Sequence, residues 1–174
     1  MVVVHDERAP LQARWEEFCR ECHRLYVELG DRVERRAMLI VSDGGGPNVL
    51  QRAQLLKAVE RLPIRTAVVS SSRAVRRIHA ALQLFNARAS CFDAAQLQEA
   101  MTHIRIGIRQ YGEVAQVIEM LCHSVPGAHT ADRLRSALAD EYGRYQLKLD
   151  SGIRGAHPVA PRRRSLFERF RRGA

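Results

Sequence analysis

The chain has 174 residues, 46% of them hydrophobic, and a net charge of +9. That length and apolar content suit one ordinary domain with appendages and exclude global disorder. No apolar run approaches the ~20 residues that span a bilayer. The start, Met1 to Glu7, has no charged n-region, so a cytoplasmic protein is expected and the four cysteines (19, 22, 91 and 122) are expected as reduced thiols.

In chain order, Val2-Val3-Val4 reads as a β-branched strand. Ala9-Pro10 breaks it and starts a helix in which Trp15, Phe18, Cys19, Cys22, Leu25, Tyr26 and Leu29 recur at helical spacing, with Gly30 at its end. Ala37–Val41 is a strand. It enters the loop Ser42-Asp43-Gly44-Gly45-Gly46-Pro47-Asn48 and then a helix to about Arg61. Val49, Leu50, Ala53, Leu56 and Val59 are that helix's expected apolar face. After Leu62-Pro63 come the strand Thr66–Val69, the polar loop Ser70-Ser71-Ser72, and a helix with Ala74, Val75, Ile78, Ala81, Leu82 and Phe85 on one side, ending near Asn86. Ala89–Phe92 is a short strand, and Asp93 is the expected N-cap of a helix bearing Leu97, Ala100, Met101 and Ile104.

This alternation predicts an α/β fold with a four-stranded, mainly parallel or mixed sheet and helices against it over residues 1–106. From Gly107 the pattern changes to two amphipathic helices. Tyr111, Val114, Ala115, Ile118, Leu121, Cys122 and Val125 line the first, Pro126-Gly127 closes it, and Thr130 is the expected cap of the second, which carries Leu134, Ala137, Leu138, Tyr142, Tyr145 and Leu149. A helical hairpin over 107–150 follows from that pattern, packed on the sheet or paired with a second copy. Residues 151–174 read as a flexible basic tail: seven arginines against the single acid Glu168. The basicity therefore belongs to the tail and not to the body, and nucleic acid is not expected as a ligand of the body.

Val68, Val69, Ser70 and Ser71, followed by Phe92, Asp93, Leu97 and Ala100, carry a resemblance to the second half of the SpoIIAA-like, or STAS, superfamily. The resemblance covers residues 1 to about 106. It implies a STAS-like fold and a non-enzymatic bacterial regulatory or scaffold role in which a loop-and-helix surface binds a protein partner. In the anti-sigma-factor-antagonist branch it also implies a phosphorylatable hydroxyl at the start of the helix after the central strand. This chain departs from that pattern, since Ser42 and Asp43 are followed by three glycines and then Pro47 and Asn48.

The candidate partner-binding residues are accordingly Ser42, Asp43, Gly44, Gly45, Gly46 and Asn48, and the candidate phosphorylation sites are Ser42, Ser70, Ser71 and Ser72. The triple glycine matches neither the P-loop nor Gly-x-Gly-x-x-Gly. A small-ligand or nucleotide site on its backbone N–H groups is one alternative reading. Cys19-Arg20-Glu21-Cys22-His23 spells the c-type haem attachment string, but both cysteines fall on the apolar side of a helix and read as core residues. The seven histidines are scattered. No metal-ligand spacing or catalytic constellation is apparent, and no cofactor is expected.

In the tail, Arg162, Arg163, Arg164, Leu166, Phe167, Arg169, Phe170, Arg171 and Arg172 combine arginines with an apolar side. That combination suits an anionic membrane surface, a partner groove or nucleic acid. It makes a peripheral membrane or polar-targeting adaptor the second reading. A protein partner or a homodimer is expected for the body.

Overall fold

The computed structural model describes residues 1–29, 36–59, 64–82, 88–125 and 127–152. The expected helix ends at Gly30, Arg61 and Asn86, together with Pro63, Phe85, Pro126 and every candidate tail residue, lie outside the described residues, as do the side chains of Leu25, Tyr26, Leu29, Leu56, Val59, Ile78, Ala81 and Leu82.

Four strands alternate with helices: β1 (Val2–His5), α1 (Gln12–Leu29), β2 (Ala37–Ser42), α2 (Val49–Val59), β3 (Arg65–Val69), α3 (Arg73–Leu82), β4 (Ala89–Phe92) and α4 (Leu97–His103). A 3₁₀ turn, Ile108–Gln110, leads into α5 (Tyr111–Cys122) and the long α6 (His129–Gly152). The sheet order is β1-β2-β3-β4 and every pairing is parallel. The mixed-sheet alternative is thereby removed. Strands that follow one another in sequence order along a parallel sheet are joined by right-handed crossovers, which put the connecting helices on one face.

The other face is left for the last helices, and the residue alternation shows why it must be covered. Leu39 and Val41 of β2 and Ala67 and Val69 of β3 point one way, into a core with Ala100, Met101, Tyr111, Ile118, Leu134 and Leu138 from α4, α5 and α6. Met38 points the other way, toward Cys22 of α1 and Ile64, with Phe18 and Ile40 packed around them. A central strand apolar on both faces is the sequence pattern of a sheet covered on both sides. Helices α5 and α6 pack against each other and against β1 and β2. The hairpin therefore lies on the sheet, which decides between the two placements the sequence left open. Leu39, Met101, Ile118, Leu134 and Leu138 are all at or below 1% exposure; burying each fully is worth roughly 1.5–3 kcal/mol.

Three local expectations are corrected. In α2, Val49 and Leu50 are exposed and Ala53 with them, while Gln51 is buried at 2%. The helix presents an amide inward because α1 offers backbone and side-chain partners for it. Asp93 does not cap α4. It accepts from the N–H of Ala95 and takes Arg76, and the helix begins only at Leu97 after Gln96. Thr130 does not cap α6 with its side chain; its own N–H donates to Asp43 Oδ1 at 2.7 Å. The cap comes from the glycine loop, 87 positions earlier in the chain.

Candidate functional site: the carboxyl rim of the sheet

All four strands end at one rim, where helices α1, α2, α3 and α6 begin. His5 and Ser42 are register partners at the ends of β1 and β2, and Ser70, just past β3, donates its N–H to the carbonyl of Phe92 at the end of β4. The loops after the strands therefore share one edge, the usual location of function in open parallel sheets.

The Ser42–Asn48 loop is held by its own polar groups. Ser42 Oγ donates to Gly45 O at 3.2 Å and accepts from Gly44 N–H at 3.3 Å. It also lies 3.4 Å from His5 Nδ1. Gly45 N–H donates to Asp6 O, and Asp43 N–H to His5 O. Gly44 has φ +145°, a conformation that favours glycine. A Cβ on Gly45 would lie 1.9 Å from Arg8 O, whereas one on Gly46 would meet nothing within 4 Å. Gly44 and Gly45 have thus already spent their N–H groups, on Ser42 Oγ and on Asp6 O after β1, which argues against an open phosphate cradle there. Burial holds the His5 imidazolium below its usual pKa, against the opposing pull of the Asp6 carbonyl and the Asp6 and Asp43 charges.

Asn48 opens α2 in a reciprocal capping box. Its N–H donates to Gln51 Oε1 and its Oδ1 accepts from Gln51 N–H, both at 2.9 Å. The same Gln51 amide donates to Pro10 O at 2.9 Å, and Trp15 Nε1 donates to Gln51 O at 2.9 Å. Gln51 and Trp15 therefore lock the start of α1 to the start of α2. Sequence reasoning missed this lock, although the Asn-x-x-Gln spacing at 48–51 is a capping-box signal. Asp43 links the rim to α6 through Thr130, and its second oxygen is buried with no hydrogen-bond partner among the described residues.

The four candidate phosphorylation sites divide by exposure. Ser42 and Ser70 are buried at 1% and 0%, so modifying either hydroxyl would require the rim to open. Ser70 Oγ accepts from Ser72 N–H, and Ser72 Oγ lies 3.5 Å from the N–H of Val75, which it caps. Ser71 is exposed. Arg76 reaches both Ser70 O at 3.1 Å and Asp93 Oδ2 at 2.6 Å.

The rim presents exposed aliphatic side chains and arginines outward, with Glu7 exposed among them. Leu11, Val49 and Leu50 are 76%, 71% and 76% exposed. Helices α1, α2 and α3 have no acidic residue in their first turns, although an acid there is ordinarily worth about 0.3–1 kcal/mol. Helix α3 instead opens with Arg73.

Away from the rim, Cys19 and Cys22 sit on α1, and burial pushes the Cys22 thiol up to about 12. A separate groove between β4 and α4 is lined by Ser90, Cys91, Phe92, Gln98, Glu99, Thr102 and His103 and includes none of the loop residues. No group of three metal-ligating side chains occurs among the described residues. Among those residues no helix is long and apolar enough to cross a membrane. Comparison with protein-family models, curated proteins and solved structures finds no significant match.

Proposed function

We propose that the protein is a non-enzymatic regulatory or scaffold protein, STAS-like over residues 1–106, that docks a protein partner on its carboxyl rim. One observation carries this reading. The loop's polar groups are turned inward, where they hold the loop in shape, while Leu11, Val49 and Leu50 stand exposed beside it. Three large aliphatic side chains exposed at the starts of α1 and α2 suit contact better than chemistry. Asp43 makes the surface part of the whole fold, because the same loop caps α6.

The test uses the open space above Gly46. A Gly46→Trp chain is expected to fold as well as the parent and to lose the partner that the parent retains in affinity capture from its native source. Retention of that partner by the variant would overturn the docking reading.

A second reading adds a peripheral membrane anchor in the tail. It is favoured by the course of α6, whose N-terminus is bonded to the rim and whose 24 residues extend about 36 Å. The described chain thus ends, at Gly152, about 36 Å along α6 from the rim. Removing residues 160–174 is expected to abolish sedimentation with anionic vesicles; unchanged sedimentation would sink the anchor.

A further inference from the structure

We infer that the rim's partner presents an acidic amphipathic segment, with aliphatic side chains flanked by aspartates and glutamates. This rests on the docking reading and names the chemistry of the occupant.

The apolar part of the surface lies at the start of α1 and along the first turns of α2. Gln51 Nε2 bonded to Pro10 O and Trp15 Nε1 bonded to Gln51 O bring the starts of α1 and α2 together. Val49, Leu50 and Ala53 are exposed together along α2, and Leu11, next to the Pro10 carbonyl that Gln51 reaches, is exposed at the start of α1. Isolated exposed leucines need no explanation, whereas a contiguous set does.

The charges around that surface choose what covers it. Arg8, its side chain 89% exposed, adjoins Gly45. Arg52 lies in the first turn of α2, and Arg73 and exposed Arg77 lie on the first turns of α3. Of the rim's carboxylates Glu7 is exposed, and the other three are engaged, one of them by Arg8 itself. Asp6 takes Arg8, Asp43 caps α6 and Asp93 takes Arg76. Arg52, Arg73 and Arg77 have no carboxylate partner among the described residues, and the N-termini of α1, α2 and α3 carry no acid to offset their positive ends.

A second copy of this surface would set arginine against arginine across a twofold axis. The chain's own segment 153–174 holds seven arginines and is repelled for the same reason. An acidic amphipathic segment satisfies both features at once: its aliphatic side chains cover the apolar surface and its carboxylates meet the guanidinium groups and helix ends.

The experiment titrates the full chain with two fluorescent helical peptides that share one leucine face. One carries glutamates on the polar face and the other lysines. The glutamate peptide is expected to bind, more weakly as salt rises, and the lysine peptide is not. Leu50→Glu and Arg73→Glu are each expected to weaken binding about tenfold or more. Both positions are exposed and each substitution places an acid in the first turn of a helix, so the thermal unfolding midpoint should hold or rise slightly, which separates lost contact from lost fold.

Equal binding of the two peptides would overturn the inference. So would glutamate-peptide binding that ignores both substitutions, since the arginine-rich tail would then be the receptor. Binding of anionic vesicles that Leu50→Glu abolishes would assign the surface to lipid and also overturn it. If the peptides show no dependence on Leu50 while Gly46→Trp still removes the native partner, this inference fails and the docking reading stands. If Gly46→Trp leaves partner retention intact, both fall.

Discussion

Gly45 and Gly46 are neighbours with opposite requirements. A methyl group on Gly45 would collide with the backbone of Arg8, and one on Gly46 would enter open space. Gly45→Ala is expected to lower stability by about 1–3 kcal/mol, the usual range for overpacking. Gly46→Ala should be neutral or slightly stabilising through the unfolded chain. Urea unfolding midpoints compare the two directly. Cys22 is buried and its thiol is raised to about 12, so in the native protein it should react with a thiol reagent far more slowly than it does in denaturant. Counting thiols that react before and after unfolding checks this. Burial also lowers the pKa values of His5 and His79 below the ordinary 6.5. Below that pH the unfolded chain takes protons that the folded chain resists, so both histidines stabilise the fold above about pH 6.5 and that contribution is lost as pH falls toward their folded values. The unfolding midpoint should drop between pH 7 and pH 5, and a His5→Gln/His79→Gln chain should show a flatter profile.

At the scale of elements, the long helix α6 depends on a residue far from it in sequence. Asp43→Ala removes the acceptor of the Thr130 N–H and is expected to cost about 1–2 kcal/mol, like other lost caps. Asp43→Asn keeps an acceptor and should cost less. Chemical denaturation of the two variants measures the difference, and equal costs would mean that the carboxylate charge, and not the cap, is what matters. The end of α4 carries the reverse opportunity. Arg105 has φ +58° and closes a Schellman motif, with its N–H on Thr102 O and the N–H of Ile106 on Met101 O. Glycine adopts that conformation without penalty, so Arg105→Gly should raise stability by about 1 kcal/mol. These elements also mark what periodicity can and cannot reveal. The apolar spacing in α5 and α6 named Tyr111, Val114, Ala115, Ile118, Leu134 and Leu138, all of which are buried. The same reasoning misassigned α2, because its outward side is apolar and its inward Gln51 is satisfied by partners on α1. Spacing shows which residues share a side of a helix; it does not show which side meets the protein.

For the whole molecule, the larger core spans β2, β3 and all three of the last helices. A chain ending at residue 106 keeps α4 against β3 but strips α5 and α6 from β1 and β2, uncovering Leu39 and Val41. It is expected to lose cooperative thermal unfolding, whereas removing 160–174 should leave the transition in place. The four strands and the final hairpin were legible because each announces itself locally, by β-branched runs, glycine and proline breaks, and 3.6-residue spacing. Of the rim, the loop residues were legible and their roles were not. Ser42 and Asp43 looked outward-facing in sequence, yet one is buried and the other is tied to Thr130.

The sequence by itself determined the α/β class, the helix that follows each strand, the change of pattern at Gly107 and the concentration of arginines in the tail. All of these depend on neighbours along the chain. Only the tertiary structure decided the parallel order β1-β2-β3-β4, the seat of the hairpin on the sheet, the capping of α6 by Asp43 and the outward turn of Val49 and Leu50. Each of these depends on which distant group is available as a partner. A carboxylate goes to the helix end that lacks a cap, and an apolar side is exposed when the helix beside it offers better partners to an amide.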